Sequence, residues 1–321
     1  MTDGTLVAAG TATRVCVAIP TFRRPELLRS LLDGIALQSL PANVEIEVVV
    51  IDNDVRPSAR HIVEALQGGY PFALRYVHFA EPGLSAVRNF SLSYARDGYE
   101  FLAMIDDDEY PQQQWLAELL RVAAATAADA VIGPVPRNVP ADAPRWLRAG
   151  HFYDLPSYPD GSTIAFGYSG NCLLRLSSLR RFGVTFDAEL NFAGGEDLLF
   201  FRQLVARGAK LSYAARAIAS EWVGPERLSA AYILKLNFRR GNTLSICDRR
   251  LHGSAFGLSM RAAKGTARLL LGLYTLFPMA LVRGRGGAVR ALCNIAQGLG
   301  ALTGLAGHIH QGYERVDAVN S

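Results

Sequence analysis

At 321 residues the chain has room for one large or two small domains and ample surface to bury. Hydrophobic residues make up 50% and the mean hydropathy is +0.14, high for a soluble enzyme, so an apolar surplus has to be placed somewhere. Four widely spaced cysteines (Cys16, Cys172, Cys247, Cys293) exclude a zinc-binding cysteine cluster and a disulfide framework, and the net charge of +4 conceals a strong asymmetry.

The opening MTDGTLVAAGTATR has no basic start followed by an apolar run. It reads as a disordered N-terminus over 1–13 and not as a signal peptide, with a reducing cytoplasm as the expected compartment. RVCVAI at 14–19 is a short apolar strand ended by Pro20. Thr21 is placed to cap a helix in which Leu27, Leu28, Leu31, Leu32 and Ile35 recur at helical spacing. VEIEVVVI at 44–51 is a second strand, closed by Asp52, Asn53 and Asp54. A helix over 61–66 and a strand over 73–78 follow. Glu81, Pro82 and Gly83 then turn the chain into a helix over 84–95 that carries Arg88 and Asn89.

FLAMIDDDEY at 101–110 is the centre of the pattern. Five mostly apolar residues have the length of a buried parallel strand, and Asp106, Asp107, Asp108 and Glu109 follow at its carboxyl end, where open α/β sheets bind ligands. Four adjacent carboxylates repel one another, and burying them unpaired costs several kcal/mol each. A hard divalent cation, Mg2+ or Mn2+, removes both problems. On an extended chain Asp106 and Asp108 share one side and Asp107 takes the other. A solvated acidic turn is the plain alternative.

A helix around 115–125 and a strand at 130–134 come next. Strands alternating with helices predict a parallel sheet with right-handed crossovers, and acids at two strand ends make it a nucleotide-binding α/β domain. Residues 137–167 form a less regular insertion over the site. GYSGNCLLR at 167–175 is a glycine-rich turn entering a strand. In NFAGGEDLLFFRQLV at 191–205, Gly194 and Gly195 allow a tight turn, and Glu196 and Asp197 fall in the first turn of a helix. Acids are favoured there by the helix dipole, which is their structural alternative.

From Lys235 to Arg290 eleven basic residues face one acid, Asp248; that segment carries +10 and the rest of the chain −6. The charges flank apolar runs, which points to an anionic membrane surface and not to nucleic acid. LLLGLYTLFPMALV at 269–282 is uncharged, interrupted by Pro278, and too short to span a bilayer alone; a spanning helix takes about 20 residues. A second apolar stretch covers 288–307. Two such helices joined by a basic linker suit a hairpin lying in or dipping into the inner leaflet, with a soluble helical cap or dimer interface as the alternative. The expected division is 14–248 for the α/β domain and 249–321 for the helical region.

Five segments in order resemble the family 2 glycosyltransferases: IPTFRRP at 19–25, VVVIDND at 48–54, GLSAVRN at 83–89, the Asp-x-Asp stretch at 106–108, and GGEDLLF at 194–200. Through DNDVRPSAR, IDDDE and GYSGNCLLR the chain looks similar to bacterial succinoglycan-type exopolysaccharide glucosyltransferases. The resemblance implies a GT-A fold and an inverting, metal-dependent transfer of a hexose from a UDP-sugar to a growing, polyprenyl-diphosphate-linked saccharide. It places Pro20, Thr21, Phe22 and Arg23 under the base, and Asp52, or less favourably Asp54, on the base edge. Arg88 falls near the nucleotide or its diphosphate, Asp106 with Asp107 by the ribose, and Asp108 with Asp106 on the metal. Asp197 becomes the base, helped by Glu196. Gly170, Asn171 and Trp222 line the donor and acceptor pocket, and Arg239 and Arg240 cover the diphosphate. The chemistry agrees: a metal acts as Lewis acid on the leaving diphosphate, and a carboxylate takes the acceptor proton. A retaining mechanism needs a second close carboxylate, and none stands out. The rival readings are a sugar nucleotidyltransferase, whose glycine-rich phosphate loop IPTFRRP lacks, and a non-catalytic binding scaffold, against which both acidic motifs stand intact. Donor sugar, acceptor, linkage and oligomeric state are left open.

Overall fold

In strand β1 (Thr13–Thr21), Val15, Val17 and Ile19 point to one face of the sheet while Cys16 and Ala18 point to the other. All five are buried, as a strand covered by helices on both sides requires. The structure is a computed structural model describing residues 12–251 and 253–311; of the expected disordered stretch 1–13, residues 1–11 lie outside the described residues, while Thr13 already pairs in β1. Helix α1 (Pro25–Ala36) follows, then β2 (Val44–Asp52), α2 (Arg60–Gln67), β3 (Ala73–His78) and α3 (Leu84–Tyr94). The central strand β4 (Phe101–Ile105) leads through the acidic turn to β5 (Glu109–Pro111), α4 (Trp115–Thr126) and β6 (Ala130–Ile132).

The insertion contributes β7 (Arg137–Asn138), α5 (Arg145–Arg148) and β8 (Thr163–Ile164). Then come β9 (Asn171–Arg175), α6 (Leu176–Phe182), α7 (Glu196–Ala206), β10 (Leu211–Tyr213) and β11 (Ala219–Trp222). Two long helices close the chain, α8 (Ala230–Leu251) and α9 (Ala255–Leu305).

The main sheet has the order β3-β2-β1-β4-β9-β6-β10-β8. Helices α1, α2 and α4 cover one face through Leu31, Val63 and Trp115; α3, α6 and α7 cover the other through Val87, Leu176 and Phe200. The expectation of a parallel sheet is corrected in part. Strands β1 to β4 are parallel, but β9 runs antiparallel between β4 and β6, and β8 is an antiparallel edge. A small second sheet, β5-β11-β7, stands beside the acidic turn.

Two smaller expectations also change. Pro20 does not end β1, because as the partner of Ile51 it sits in a parallel ladder that continues to Thr21. Thr21 caps no helix: the N-cap of α1 is Arg24, and Pro25 opens the helix, where a missing N–H costs nothing.

Helix α9 folds back on itself at Gly284 (φ 58°, ψ −143°), giving two antiparallel arms. Pro278 lies within the first arm, on its exposed side, and does not end it. Small residues set the packing. A Cβ on Gly298 would lie 2.6 Å from the Gly265 carbonyl, and one on Gly304 2.6 Å from the Asn242 carbonyl. Helix α8, which the expected division leaves largely in the α/β domain, packs along these arms and also against α7. All four cysteines are buried thiols.

Candidate active site

The carboxyl ends of β1, β2 and β4 open on one edge of the sheet, and the first turn of α7 arrives there. After Ile105 the chain does not stay extended; it turns, and the Glu109 amide donates to the Asp106 carbonyl at 3.2 Å. The expected alternation of the acids is therefore replaced by a fan of three directions. Asp106 points toward Arg88, 3.5 Å away, with its side chain 40% exposed. Asp107 points inward and accepts from Thr21 Oγ1 at 2.8 Å, the Phe22 amide at 3.3 Å and Arg24 at 3.2 Å. Asp108 faces Arg24 at 2.9 Å and Arg227 at 3.4 Å.

Asp107 is thus an internal brace between the ends of β4 and β1, which explains why Thr21 is unavailable as a cap. Burial pushes its carboxyl up to about 6, against the pull of Arg24 and with the help of Asp108. Arg23 has a left-handed backbone (φ 55°). Its guanidinium grips both oxygens of Asp54, at 2.7 and 3.0 Å, and lies 4.9 Å from the Phe22 ring. A bidentate pair holds that unusual backbone in place.

The second acidic motif reaches the same place. Gly194 and Gly195 take positive φ (77° and 91°), the region open to glycine, and deliver Glu196 and Asp197 at the start of α7. Buried Glu196 pairs with Arg88 of α3, whose other nitrogen faces Asp106. One guanidinium therefore joins the two acidic turns, which lie ninety residues apart in the sequence. Helix α3 also grips the segment leading to α7: Asn89 exchanges hydrogen bonds with the Phe186 backbone, and Ser85 donates to the Asp187 carbonyl. Asp197 is half-buried and faces the site, close enough to Asp106 to help raise its affinity for a proton.

Several residues fall elsewhere than expected. Asp52 is fully buried, and its four acceptor positions are filled by the Asp54 and Ala59 amides, Ser58 and Tyr76. No carboxylate edge remains for a base. Asn171 is likewise consumed: it accepts from Trp115 Nε1 at 2.8 Å and donates to the Pro134 and Ala217 carbonyls. Arg88 is buried between carboxylates and is not a surface group for a diphosphate. Gly170 does line the site; a Cβ there would stand 2.5 Å from Glu109 Oε1 and 2.9 Å from Asp106 Oδ2. Trp222 is 64% exposed at the end of β11. Arg240 of α8 is held below the usual arginine range by lost hydration and by its neighbours Arg137 and Arg239.

Sequence reasoning missed a second tier. In the small sheet Glu221 pairs directly with Glu109 across the antiparallel strands and with Arg137 across the parallel ones. Like charges opposite each other are destabilising. The conflict is resolved by giving Arg137 and Arg227 to Glu221, while burial, with Asp106 and Asp108 close by, raises the Glu109 carboxyl well above its usual range. Strands this short, whose partners lie about 110 residues apart, leave no periodic signal.

The fit of a divalent cation can be tested on the donor set. Around the turn stand seven carboxyls (Asp106, Asp107, Asp108, Glu109, Glu196, Asp197, Glu221) and four guanidiniums (Arg24, Arg88, Arg137, Arg227). Lost hydration and the neighbouring Asp108, Asp197 and Glu221 raise Asp106 despite Arg88, and buried Glu109 Oε2 and Glu196 Oε2 have no hydrogen-bond partner. Among the described residues no three potential ligands form a closed cage. Mg2+-like ions bind through one or two carboxylates together with substrate phosphates, so such an ion does not require a closed protein cage.

A profile described as glycosyl transferase family 2 matches residues 16–183. The succinoglycan biosynthesis protein ExoM of Rhizobium meliloti (strain 1021) is 36% identical over 299 residues, covering 91% of this chain and 92% of that protein. Among solved structures, the mannosyltransferase PcManGT from Pyrobaculum calidifontis, in complex with GDP-Man and Mn2+, superposes with a TM-score of 0.62 at 19% identity. The match covers 92% of this chain and 88% of that one. S. aureus TarS 1–349 in complex with UDP-GlcNAc gives 0.54 at 16% identity over 94% and 98%, and the chain spans 55% of the longer TarS structure. The mixed sheet with helices on both faces is the GT-A architecture of these neighbours, and the chain belongs to glycosyl transferase family 2.

Proposed function

We propose that the protein is an inverting, metal-dependent glycosyltransferase that moves a hexose from a nucleotide sugar to a growing, lipid-linked saccharide on the cytoplasmic face of the inner membrane. UDP-glucose is the proposed donor, in keeping with similarity to a succinoglycan biosynthesis protein and to a fold neighbour crystallised with UDP-GlcNAc. The observation that carries the reading is Arg88 tying the Asp106 turn to the Glu196–Asp197 turn, so that an anion-handling edge and the half-buried Asp197 carboxylate share one site.

Asp106 and Asp108 would hold a divalent cation, which when bound supplies Lewis-acid neutralisation of the leaving diphosphate. Arg24 and Arg227 turn toward the same space, and Arg239 and Arg240 of α8 flank it with further positive charge. With Asp52 and Asp54 both committed to the fold, the nucleobase is assigned to Phe22 and Arg23. Asp197 accepts the proton of the acceptor hydroxyl as its oxygen bonds to the anomeric carbon. The bond from that carbon to the diphosphate oxygen breaks on the opposite face, and the nucleoside diphosphate leaves with the electron pair. Glu196, fixed by Arg88, orients the first turn of α7 beneath this carboxylate.

The membrane part rests on the first arm of α9. Phe256, Met260, Leu270, Tyr274, Phe277 and Leu281 form an exposed apolar stripe, with Phe277 77% and Leu281 76% accessible. Leu271, Leu273 and Val282 widen it to about half the helix circumference, broader than a helix–helix seam and suited to an interfacial bilayer contact.

The test is nucleoside diphosphate release from a panel of nucleotide sugars with Mn2+, Mg2+ or chelator, with and without membrane-extracted lipid-linked acceptor. Acceptor-stimulated release that chelation abolishes is expected. Release of inorganic diphosphate instead, or full activity in chelator, overturns the reading.

A further inference from the structure

Where α8 and the two arms of α9 meet, a cleft of about 270 Å3 opens beside the apolar stripe. It exists because glycines hold the helices close: a Cβ on Gly265 would stand 3.1 Å from the Ala301 Cβ, and one on Gly241 would meet the Gln297 backbone. Its polar walls come from Arg261, Lys264 and Arg268, which lie at i, i+3 and i+7 on one face of the first arm.

These three charges are only partly spent. Arg261 gives its Nε to Asp248, and Arg268 donates to Gln297 Oε1 at 2.5 Å, which leaves each guanidinium further N–H donors. Asp248 is shared with Arg202, so it offsets less than one charge in the cleft. Lys264 has no hydrogen bond or ion pair among the described residues. A cationic cleft with free donors takes an anion with several acceptor oxygens.

Position then selects the source. Lys264 borders the apolar stripe, with Met260 one turn before it and Leu271 two turns after, so with that stripe in the acyl region the cleft stands at headgroup depth. We propose that Arg261, Lys264 and Arg268 bind the phosphate headgroup of an anionic phospholipid and so fix the enzyme's rotation on the membrane. This rests on the membrane reading above.

Flotation of the full-length protein with vesicles of phosphatidylcholine alone, or with 30 mol% phosphatidylglycerol, as a rough physiological proportion, tests it. Two variants are compared: Lys264→Ala/Arg268→Ala in the cleft, and Arg283→Ala/Arg285→Ala at the hairpin tip, which removes equal charge. Wild type is expected to bind the phosphatidylglycerol vesicles more tightly. The cleft variant should lose at least about fivefold more of that gain than the tip variant, a margin equal to roughly one further surface charge. Its melting temperature and residual binding to neutral vesicles should be unchanged. Equal losses in the two variants mean diffuse electrostatics and overturn the headgroup site alone. No flotation of wild type with either vesicle removes the membrane reading itself. Calorimetric binding of inorganic phosphate without vesicles, lost in the cleft variant, assigns the cleft to a soluble anion and also overturns the proposal.

Discussion

Arg88 is the residue on which the two acidic motifs depend. It is buried, paired with buried Glu196, and turned toward Asp106. Removing it strands a carboxylate in the interior, and breaking such a pair costs about 3–5 kcal/mol. Arg88→Leu is therefore expected to lower chemical-denaturation stability by that amount. Arg88→Leu/Glu196→Leu should recover most of it, because the fully buried carboxylate is gone and the Asp106 left without Arg88 is 40% exposed, yet stay inactive. A single variant as stable as wild type would contradict the pairing. At this same scale the sequence was only partly informative. The acids that define the site were legible because four in a row have few other uses. The saturation of Asp52 and Asn171 was not, since it depends on Ser58, Tyr76, Trp115 and two distant carbonyls brought in by the fold.

Among the elements, α7, α8 and α9 are joined by one carboxylate. Asp248 of α8 takes Arg202 of α7 at 2.8 Å and Arg261 of α9 at 2.5 Å. Burial alone would raise its pKa, but the hydrogen bonds from Arg261 and Arg202 outweigh burial and hold it below the usual 3.8. A carboxyl depressed by folding contributes stability that is complete above its unfolded pKa and disappears as pH falls through the folded one. Asp248→Asn should then cost about 2 kcal/mol at pH 7, the scale of charge-assisted hydrogen bonds, and the gap from wild type should close below pH 4. Thermal melts showing the same gap at pH 3 and pH 7 would contradict this. The helices and parallel strands of the first half were readable from apolar runs and 3.6-residue spacing. The antiparallel insertion of β9 and the β5-β11-β7 sheet were not, because pairing between short distant strands is decided by tertiary packing.

For the molecule as a whole, the surplus of apolar residues and the basic C-terminal segment find a common explanation in a hairpin that turns its greasy side outward. That hairpin is not a loose appendage. Its second arm places Val289 and Cys293 in one buried cluster with Leu147, Tyr153 and Val223, and the Tyr153 hydroxyl donates to the carbonyl of Arg227, the residue facing Asp108. The hairpin and the acidic site are thus both joined to the same insertion. The account stands on Asp197 as the proton acceptor in that site, and the direct measurement is turnover and donor affinity of Asp197→Asn side by side. Transfer is expected to fall by about 10²–10⁴-fold while the Kd for the nucleotide sugar with Mn2+ stays within about twofold of wild type. Transfer at the wild-type rate by this variant would contradict the assignment.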